Sequence, residues 1–190
     1  MYGNLLSNKQ IEQYVHGPDK FTIHPYKRDR LKLAHYKLSA GFIAKPWILR
    51  EDGTRRHKTV GHLSDGPYVF EPRQYLIVQL RETILLPEGI VGNFVPASTL
   101  VEQGFALTAG KLDSGYGELD GQEQHVLVGL TNLLDEPNPF DSSLGICHIY
   151  FADFRGTERF NVDFTAAERQ DFRDRRLGDD GPNYHADDPE

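Results

Sequence analysis

The most informative part of the chain is a run of nine residues, Thr108-Ala109-Gly110-Lys111-Leu112-Asp113-Ser114-Gly115-Tyr116. It follows the alternating stretch Phe105-Ala106-Leu107, which predicts a β-strand. Gly110 lets a ligand approach the backbone closely, and Ser114-Gly115 is typical of a turn in which a positive φ costs little. Asp113 would then stand at the mouth of the turn, with the Tyr116 ring as a flat wall. The pattern indicates a β-hairpin that forms a nucleoside pocket; the alternative is an ordinary hairpin with an Asx turn.

Short apolar alternations recur along the chain, and each of them predicts a strand. They fall at Phe21/Ile23, Leu31/Leu33, Tyr36/Leu38, Tyr68/Phe70, Tyr75/Ile77, Phe94, Leu107, Val126/Val128 and Ile146/Ile149/Phe151. Because Gly and Pro punctuate these strands, the fold is predicted to be mainly β, a barrel or a double sheet. A short helix is predicted over residues 7–15 with Ser7 as its N-cap, and residues 51–66 read as an exposed hairpin loop.

Length and composition set the class of protein. The chain has 190 residues, a formal net charge of −7 and one cysteine, Cys147. A lone thiol excludes an intrachain disulfide and fits a reducing compartment, and no apolar run approaches the roughly 20 residues of a membrane span. We therefore expect a cytoplasmic protein with no membrane partner. The acidic balance argues against a nucleic acid partner, although a few local cations are enough to bind one triphosphate.

Several segments stand in the order found in one superfamily, the trimeric dUTP diphosphatases (dUTPases) and dCTP deaminases. The nine-residue run resembles their Thr-Ala-Gly-x-x-Asp-x-Gly-aromatic motif. Other similar segments are Leu6-Ser7-Asn8-Lys9-Gln10-Ile11, Phe21-Thr22-Ile23-His24-Pro25, Ala34-His35-Tyr36-Lys37-Leu38-Ser39-Ala40-Gly41, Leu86-Pro87-Glu88-Gly89-Ile90-Val91-Gly92, Ala97-Ser98-Thr99-Leu100 and Leu144-Gly145-Ile146-Cys147-His148-Ile149. The resemblance covers residues 5–155. The match is fairly specific in the motif that contains Asp113. For the other segments, the resemblance depends on their order along the chain.

The resemblance implies a fold and an assembly. The fold would be a dUTPase-like distorted β-barrel or double sheet, with a short N-terminal helix and a C-terminal helical segment. We expect residues 1–160 to form this domain and residues 161–190 to form the C-terminal helix and a flexible acidic tail. The assembly would be a homotrimer with pockets at the subunit contacts.

The resemblance also implies a site for a pyrimidine deoxynucleoside triphosphate: dUTP, dCTP or dTTP. Asp113 matches the carboxylate that holds the attacking water, and Tyr116 matches the ring that packs beneath the sugar and excludes a ribose hydroxyl. Ser98 matches a phosphate-binding serine. Lys37 stands where the diphosphatases carry a magnesium-holding aspartate, so that metal contact is lost and Lys37 is placed to meet phosphate instead. The predicted nucleotide-binding residues are Ser98, Thr108, Ala109, Gly110, Lys111, Tyr116 and Lys37, with Asp113 as the catalytic candidate.

Other positions depart from the family pattern. Gly129 replaces the glutamate that shuttles protons in the deaminases, three residues before Asn132, and a glycine cannot transfer a proton. Glu102 reverses the charge of a catalytic arginine, and Ala97 replaces the arginine of the phosphate turn. These changes count against deamination and weaken the case for diphosphatase chemistry. Two classes stay open. The first is an enzyme that cleaves or deaminates a pyrimidine deoxynucleoside triphosphate through Asp113 and bound magnesium, and the second is a non-catalytic nucleotide sensor, regulator or scaffold on the same fold.

The sequence predicts no metal site built by the protein itself, and Mg²⁺ would arrive with the nucleotide triphosphate. His57 and His62 flank a basic loop, but no Cys or carboxylate stands at a usual ligand spacing. The acidic insertion 117–124 is interpreted as a solvated loop tip or, alternatively, as a lid or partner-binding element. Arg173 and Arg176 either lie on a solvated helix face or reach the triphosphate.

Overall fold

The computed structural model describes residues 4–18, 21–49, 55–63, 66–114, 118–119, 122–123, 125–141, 143 and 145–155. Within these ranges the fold is mainly β, as the sequence predicts, with helices α1 (Asn8–Val15) and α2 (Ser98–Glu102). The strands are β1 (Asn4–Leu5), β2 (Thr22–His24), β3 (Tyr36–Leu38), β4 (Ala40–Leu49), β5 (Arg55–His62), β6 (Tyr68–Phe70), β7 (Tyr75–Leu85), β8 (Ile90–Pro96), β9 (Phe105–Thr108), β10 (Lys111–Leu112), β11 (Glu118–Leu119), β12 (Gln122–Glu123), β13 (His125–Asn132), β14 (Asn138–Phe140) and β15 (Cys147–Asp153). The described residues do not include Tyr116 or the region 161–190, where the C-terminal helix, Arg173, Arg176 and the acidic tail are predicted.

Helix α1 begins at the predicted cap. The Ser7 hydroxyl accepts a hydrogen bond from the Gln10 backbone N–H at 3.5 Å, and the Gln10 side-chain oxygen accepts one from the Ser7 N–H at 3.0 Å. This reciprocal capping box satisfies two backbone donors that a helix start leaves without partners. Ile11 is fully buried, so the helix packs its apolar stripe on the core. Neither α1 nor α2, the helices of the described chain, is long and apolar enough to cross a membrane.

Two principal antiparallel sheets enclose one core. In the five-stranded sheet, β15 pairs with β8 on one side and with β1 and β3 on the other, and β10 extends the sheet beyond β8. The six-stranded sheet has the order β5-β4-β7-β13-β9, with β2 paired to β7. Fully buried side chains of both sheets meet between them, among them Ile149 and Phe151 from β15 and Val78 and Leu130 from the second sheet. The double-sheet prediction is therefore confirmed.

The chain passes between these two sheets several times, and its two shortest described crossings consist of one and two residues. It leaves the first sheet at Ser39, between β3 and β4, and it returns at Ala109–Gly110, between β9 and β10. At the first crossing, the Ser39 N–H and hydroxyl donate to the Glu82 carboxylate at 3.0 and 2.8 Å, and Arg30 reaches the same carboxylate at 2.5 Å. Glu82 is 1% exposed, so a buried ion pair fixes this corner.

Two local predictions are wrong. Leu31 forms one isolated bridge with Tyr36, and Leu33 is 81% exposed, because the Lys32 N–H donates to the His35 carbonyl and closes a tight turn. Residues 55–62, predicted as part of an exposed loop, form β5 and pair with β4. Strand β5 ends the path of its sheet and is rich in Arg, His and Lys, a composition typical of edge strands that avoid further pairing.

Candidate functional site

Asp113 and Lys111 form an accessible ion pair beside β8. Strand β10 places Lys111 opposite Asn93, and the next outward-facing side chain along the chain is Asp113. The Lys111 Nζ lies 2.9 Å from the Asp113 Oδ2, with side-chain exposures of 64% and 37%. At that exposure the pair adds little to stability. A carboxylate offers about four acceptor positions, so Asp113 keeps others for a ligand or a water molecule.

The segment before Asp113 differs from the predicted hairpin. Strands β9 and β13 are antiparallel neighbours, but the chain leaves β9 at Ala109–Gly110 and pairs β10 with the other sheet. Thr108, Ala109 and Gly110 are all exposed at this crossing. A Cβ built on Gly110 meets no atom within 4 Å, so one side of the segment faces open space. Residues 108–113 thus form one accessible segment that crosses from one sheet to the other. Tyr116 lies outside the described residues.

Ser98 and Lys37 flank the start of β15. The Ile146 N–H donates to the Leu38 carbonyl at 3.3 Å, and the Ile146 carbonyl accepts from the Ala97 N–H at 3.2 Å. One residue therefore joins the strand that carries Lys37 to the turn that carries Ser98. Ser98 is exposed at the first position of α2, and Lys37 is half-buried on β3.

Asp113 and Ser98 lie far apart within one chain. The register pairs Lys111 with Asn93 and Leu112 with Gly92, so its continuation places Asp113 beside Val91. Val91 precedes Ala97 by six residues of mostly extended chain, about 20 Å at a strand rise of about 3.3 Å per residue. One chain therefore does not bring the candidate catalytic carboxylate and the candidate phosphate turn into contact.

No family model matches the chain, and no curated protein matches it in sequence. Among solved structures, the 2'-deoxycytidine 5'-triphosphate deaminase from Agrobacterium tumefaciens is similar, with a TM-score of 0.57 and 15% identity over 80% of this chain and 49% of that chain. The chain has a dUTPase/dCTP deaminase-like fold. It spans about half the length of that deaminase chain.

Two dUTPases are also similar in structure. The native EIAV dUTPase has a TM-score of 0.45 at 13% identity over 77% of this chain and 94% of that chain. A mutant dUTPase from phage phi11 of S. aureus, solved to reveal how a structural Mg(II) ion is coordinated, has a TM-score of 0.47 at 12% identity over 78% of this chain and 99% of that chain.

Gly129 lies under an aromatic ring. It pairs with Thr108 on β9 and with Ile77 on β7. A Cβ built on Gly129 would overlap the Tyr75 hydroxyl group and ring, so Tyr75 fills the space into which a side chain would project. Glu102 is exposed at the end of α2. Neither position therefore carries the residue type that the resemblance associates with deamination. At Gly129, the Tyr75 ring also leaves no room for a proton-transfer side chain.

Asn132, the residue three positions later, serves the fold. It is fully buried, and its Nδ2 donates to the carbonyls of Glu71 at 3.0 Å and Glu136 at 2.9 Å. Its Oδ1 accepts from the Leu134 N–H at 3.0 Å. These bonds tie the loop after β13 to the segment before β7, and they occupy the amide fully.

Neither the thiol nor the histidines of β5 supply another reactive group. Burial raises the pKa of the Cys147 thiol far above its ordinary value, and the nearby Glu82 carboxylate adds to the shift, so the thiol stays protonated and is no nucleophile. His57 Nδ1 lies 2.9 Å from the Lys45 carbonyl oxygen, and His62 contacts the Phe42 ring. Among the described residues, no group of three or more His, Cys, Asp or Glu side chains could hold a metal ion.

His35 and His148 form a basic cluster that no sequence pattern indicates. The rings of His35 and His148 stack with their centroids 4.4 Å apart and their planes at 26°. His148 lies directly opposite Lys37 in the β3–β15 pair, so the cluster continues the region around Lys37. Nothing in the sequence pairs two histidines so far apart along the chain; only the register of β3 on β15 brings them together.

Proposed function

We propose that this protein binds a pyrimidine deoxynucleoside triphosphate at the contacts between subunits of a homotrimer, and that it does not deaminate the base. The observation that carries the proposal is the accessible Lys111–Asp113 pair, which follows a glycine facing open space. A cation for phosphate and a carboxylate for a sugar hydroxyl or a water molecule are the groups such a ligand needs. The fold shared with a deaminase supports the same ligand class.

The separation of the two halves of the site supports a site shared between subunits, and the resemblance to the trimeric family supplies their number. Asp113 lies about 20 Å along β8 from the turn that holds Ser98, by the strand rise of about 3.3 Å per residue. A complete site needs both, so a second copy of the chain supplies the Ser98 turn and Lys37 to the Asp113 segment of the first. Closed homo-oligomers commonly build shared sites at such interfaces.

The reaction that this site could support is hydrolysis. A carboxylate at Asp113 can accept a proton from a bound water as the water oxygen attacks the α-phosphorus. The bond from that phosphorus to the α–β bridging oxygen then breaks, so that pyrophosphate leaves and the nucleoside monophosphate remains. Mg²⁺ would enter as part of the nucleotide, because the described side chains form no metal cluster and Lys37 offers an ammonium group where oxygen ligands are needed. The second candidate is a nucleotide sensor that binds without turnover, and the ion pair that already engages Asp113 favours it.

Binding can be tested by thermal unfolding of the full chain with dUTP, dCTP, dTTP and UTP, each with Mg²⁺. A ligand specific for the folded state adds about 2.7 kcal/mol at a hundredfold excess over Kd, so a deoxynucleotide should raise the melting temperature clearly. UTP should raise it less, since Tyr116 would crowd the ribose hydroxyl. Asp113→Ala should reduce the shift; Asp135→Ala, which removes another exposed aspartate paired with an arginine at 2.7 Å, should leave it unchanged.

Several results would contradict this proposal. No change in melting temperature with about 1 mM deoxynucleotide, a concentration that detects even weak sites, would exclude the pocket. A stable monomer in light scattering would remove the shared site. Product analysis of the same mixtures separates the two candidates: dUMP and pyrophosphate indicate hydrolysis through Asp113, and an unchanged nucleotide indicates a sensor.

Deamination of dCTP is expected to be absent, and Gly129→Glu should not restore it. General acid-base help is worth about 10² to 10⁴ in rate, and the glutamate side chain would have to displace Tyr75 before it could reach a base. The double variant Gly129→Glu/Tyr75→Ala tests the steric part, because it should recover the melting temperature that Gly129→Glu loses. Rapid dUTP formation from dCTP by the unaltered protein would show that the deaminase positions lie elsewhere.

A further inference from the structure

Four basic side chains gather on the outer face of the five-stranded sheet, and we call them the His35/His148 cluster: Lys32, His35, Lys37 and His148. Lys32 and His35 belong to the tight turn before β3, where the Lys32 N–H donates to the His35 carbonyl at 2.8 Å. His35 and Lys37 alternate to the same face of β3, and His148 on β15 lies opposite Lys37. Two segments that are far apart in sequence, residues 32–37 and β15, thus converge on one spot.

Among the described residues, the charges that lower the pKa of His35 and His148 come from Lys32, Lys37 and His35, and none comes from a carboxylate. The described contact of the Lys32 ammonium is the backbone carbonyl of Asp29 at 2.8 Å. The end of the Lys37 side chain lies directly over Gly145, where a Cβ would overlap its Cε. Gly145 has a φ of +66°, so its backbone favours glycine and the lysine keeps that space. Lys32 and Lys37 both act on His148, so their positive charges share one neighbourhood, where they repel each other and attract an anion.

The two imidazoles respond to this field. Burial lowers the pKa of His35, and Lys32 lowers it further. Burial is likewise the largest cause that lowers the pKa of His148, and His35, Lys37 and Lys32 lower it further. Of the other groups on this face, β15 contributes the Tyr150 hydroxyl, and β8 contributes the uncharged Asn93 and Val95 opposite Tyr150 and His148. Beyond β8, β10 contributes Lys111 opposite Asn93, and Lys111 is paired with the Asp113 carboxylate. Near neutral pH the imidazoles are therefore neutral, and the two lysines supply the charge.

We propose that the His35/His148 cluster is a phosphate-binding site whose affinity rises as the imidazole pair takes up protons. A phosphate group offers several acceptor oxygens and negative charge, which match two ammonium groups and up to two imidazolium N–H donors. The phosphate comes from the triphosphate of the nucleotide or from free inorganic phosphate. In the first case the inference rests on the proposed function, because the cluster lies beside the turn that holds Ser98.

Linkage fixes the direction of the pH effect. The folded-state pKa values of both histidines lie below the unfolded value of about 6.5, so the unfolded chain binds more protons near that pH and stability falls as the pH drops through it. A bound anion raises these pKa values. Anion affinity then increases up to tenfold per pH unit for each proton taken up, and the anion restores the stability lost in acid.

The test uses the full chain and sulfate as the probe, because sulfate stays a dianion across the range and adds no titration of its own. Sulfate affinity should be at least tenfold higher at about pH 5.5 than at about pH 8. Resonances of His35 and His148 in NMR titrations should show higher pKa values with sulfate than without it. His148→Gln should remove most of the pH dependence, and His24→Gln, at an exposed histidine on β2 of the other sheet, should not. Equal sulfate affinity at the two pH values, or imidazole pKa values that sulfate does not move, would overturn the proposal even if His148→Gln fails to fold.

Two further ligands separate this site from the proposed function. Inorganic tripolyphosphate should bind the unaltered protein and Asp113→Ala equally well, because Asp113 lies outside the cluster. If dUTP binds no more tightly than tripolyphosphate, the deoxynucleoside pocket fails while the phosphate site stands. If dUTP binds with full affinity to His148→Gln and with no dependence on pH, the phosphate site fails while the pocket stands.

Discussion

Replacing Glu82 by alanine is expected to lower the free energy of unfolding by about 3–5 kcal/mol, the usual cost of removing one member of a buried ion pair. The Glu82 carboxylate is 1% exposed and accepts from Arg30 and from both donors of Ser39. Its loss leaves the Ser39 backbone N–H without a partner at the corner between the two sheets. Urea unfolding followed by circular dichroism measures the change.

Matched variants identify the cause. Glu82→Gln keeps the shape and an acceptor oxygen, so it should destabilise less than Glu82→Ala. Asp135→Ala removes a carboxylate from a fully exposed pair with Arg73, and it should leave the unfolding midpoint unchanged. If Glu82→Ala unfolds at the same urea concentration as the unaltered protein, the corner is held by packing alone.

Phe105→Ala should cost about 3–5 kcal/mol, the usual range for removing a buried phenylalanine ring. Phe105 is 1% exposed at the start of β9. Its ring meets Phe70 and Phe140 edge to face, with centroids 5.2 and 5.6 Å away. These two rings belong to the β6–β14 ladder, so Phe105 joins that ladder to the strand that leads to Thr108.

Phe105→Leu refills part of the cavity and should therefore cost less than alanine. Val101→Ala provides the surface control, since Val101 is 56% exposed on α2 and its truncation should scarcely change stability. An alanine variant at Phe105 that unfolds together with Val101→Ala would show that the three rings do not act as one cluster.

Local signals in the sequence predicted the elements that depend on them. The Ser7 cap fixed the start of α1, and the alternations at Tyr75/Ile77 and Ile149/Phe151 marked strands of the two sheets. Strand β5 was missed because an edge strand that carries Arg, His and Lys shows no apolar period. Leu33 was misassigned because a turn, closed by a backbone bond, exposes it.

Part of the candidate site could likewise be predicted from local sequence patterns, and part could not. Lys111 and Asp113 are two residues apart on an extended segment, so their pairing follows from strand geometry and could be anticipated. The transfer of the chain to the other sheet at Ala109–Gly110 depends on the pairing of β10 with β8, which no local pattern encodes. The stacking of His35 on His148 and the occupation of the Gly129 space by Tyr75 are likewise products of long-range register.

Strand β10 is attached far more weakly than its neighbours. It pairs with β8 at two positions, Lys111 and Leu112, whereas β15 pairs with β8 at seven. Local opening costs least where few hydrogen bonds and buried contacts must break, so the segment before Asp113 can detach and re-form while both sheets stay folded. Amide exchange in the segment before Asp113 is therefore expected to be faster than in the paired parts of β8 and β15. A ligand that binds Asp113 must restrain this motion, which lowers its affinity and should make the segment more protected in the bound state than in the free one.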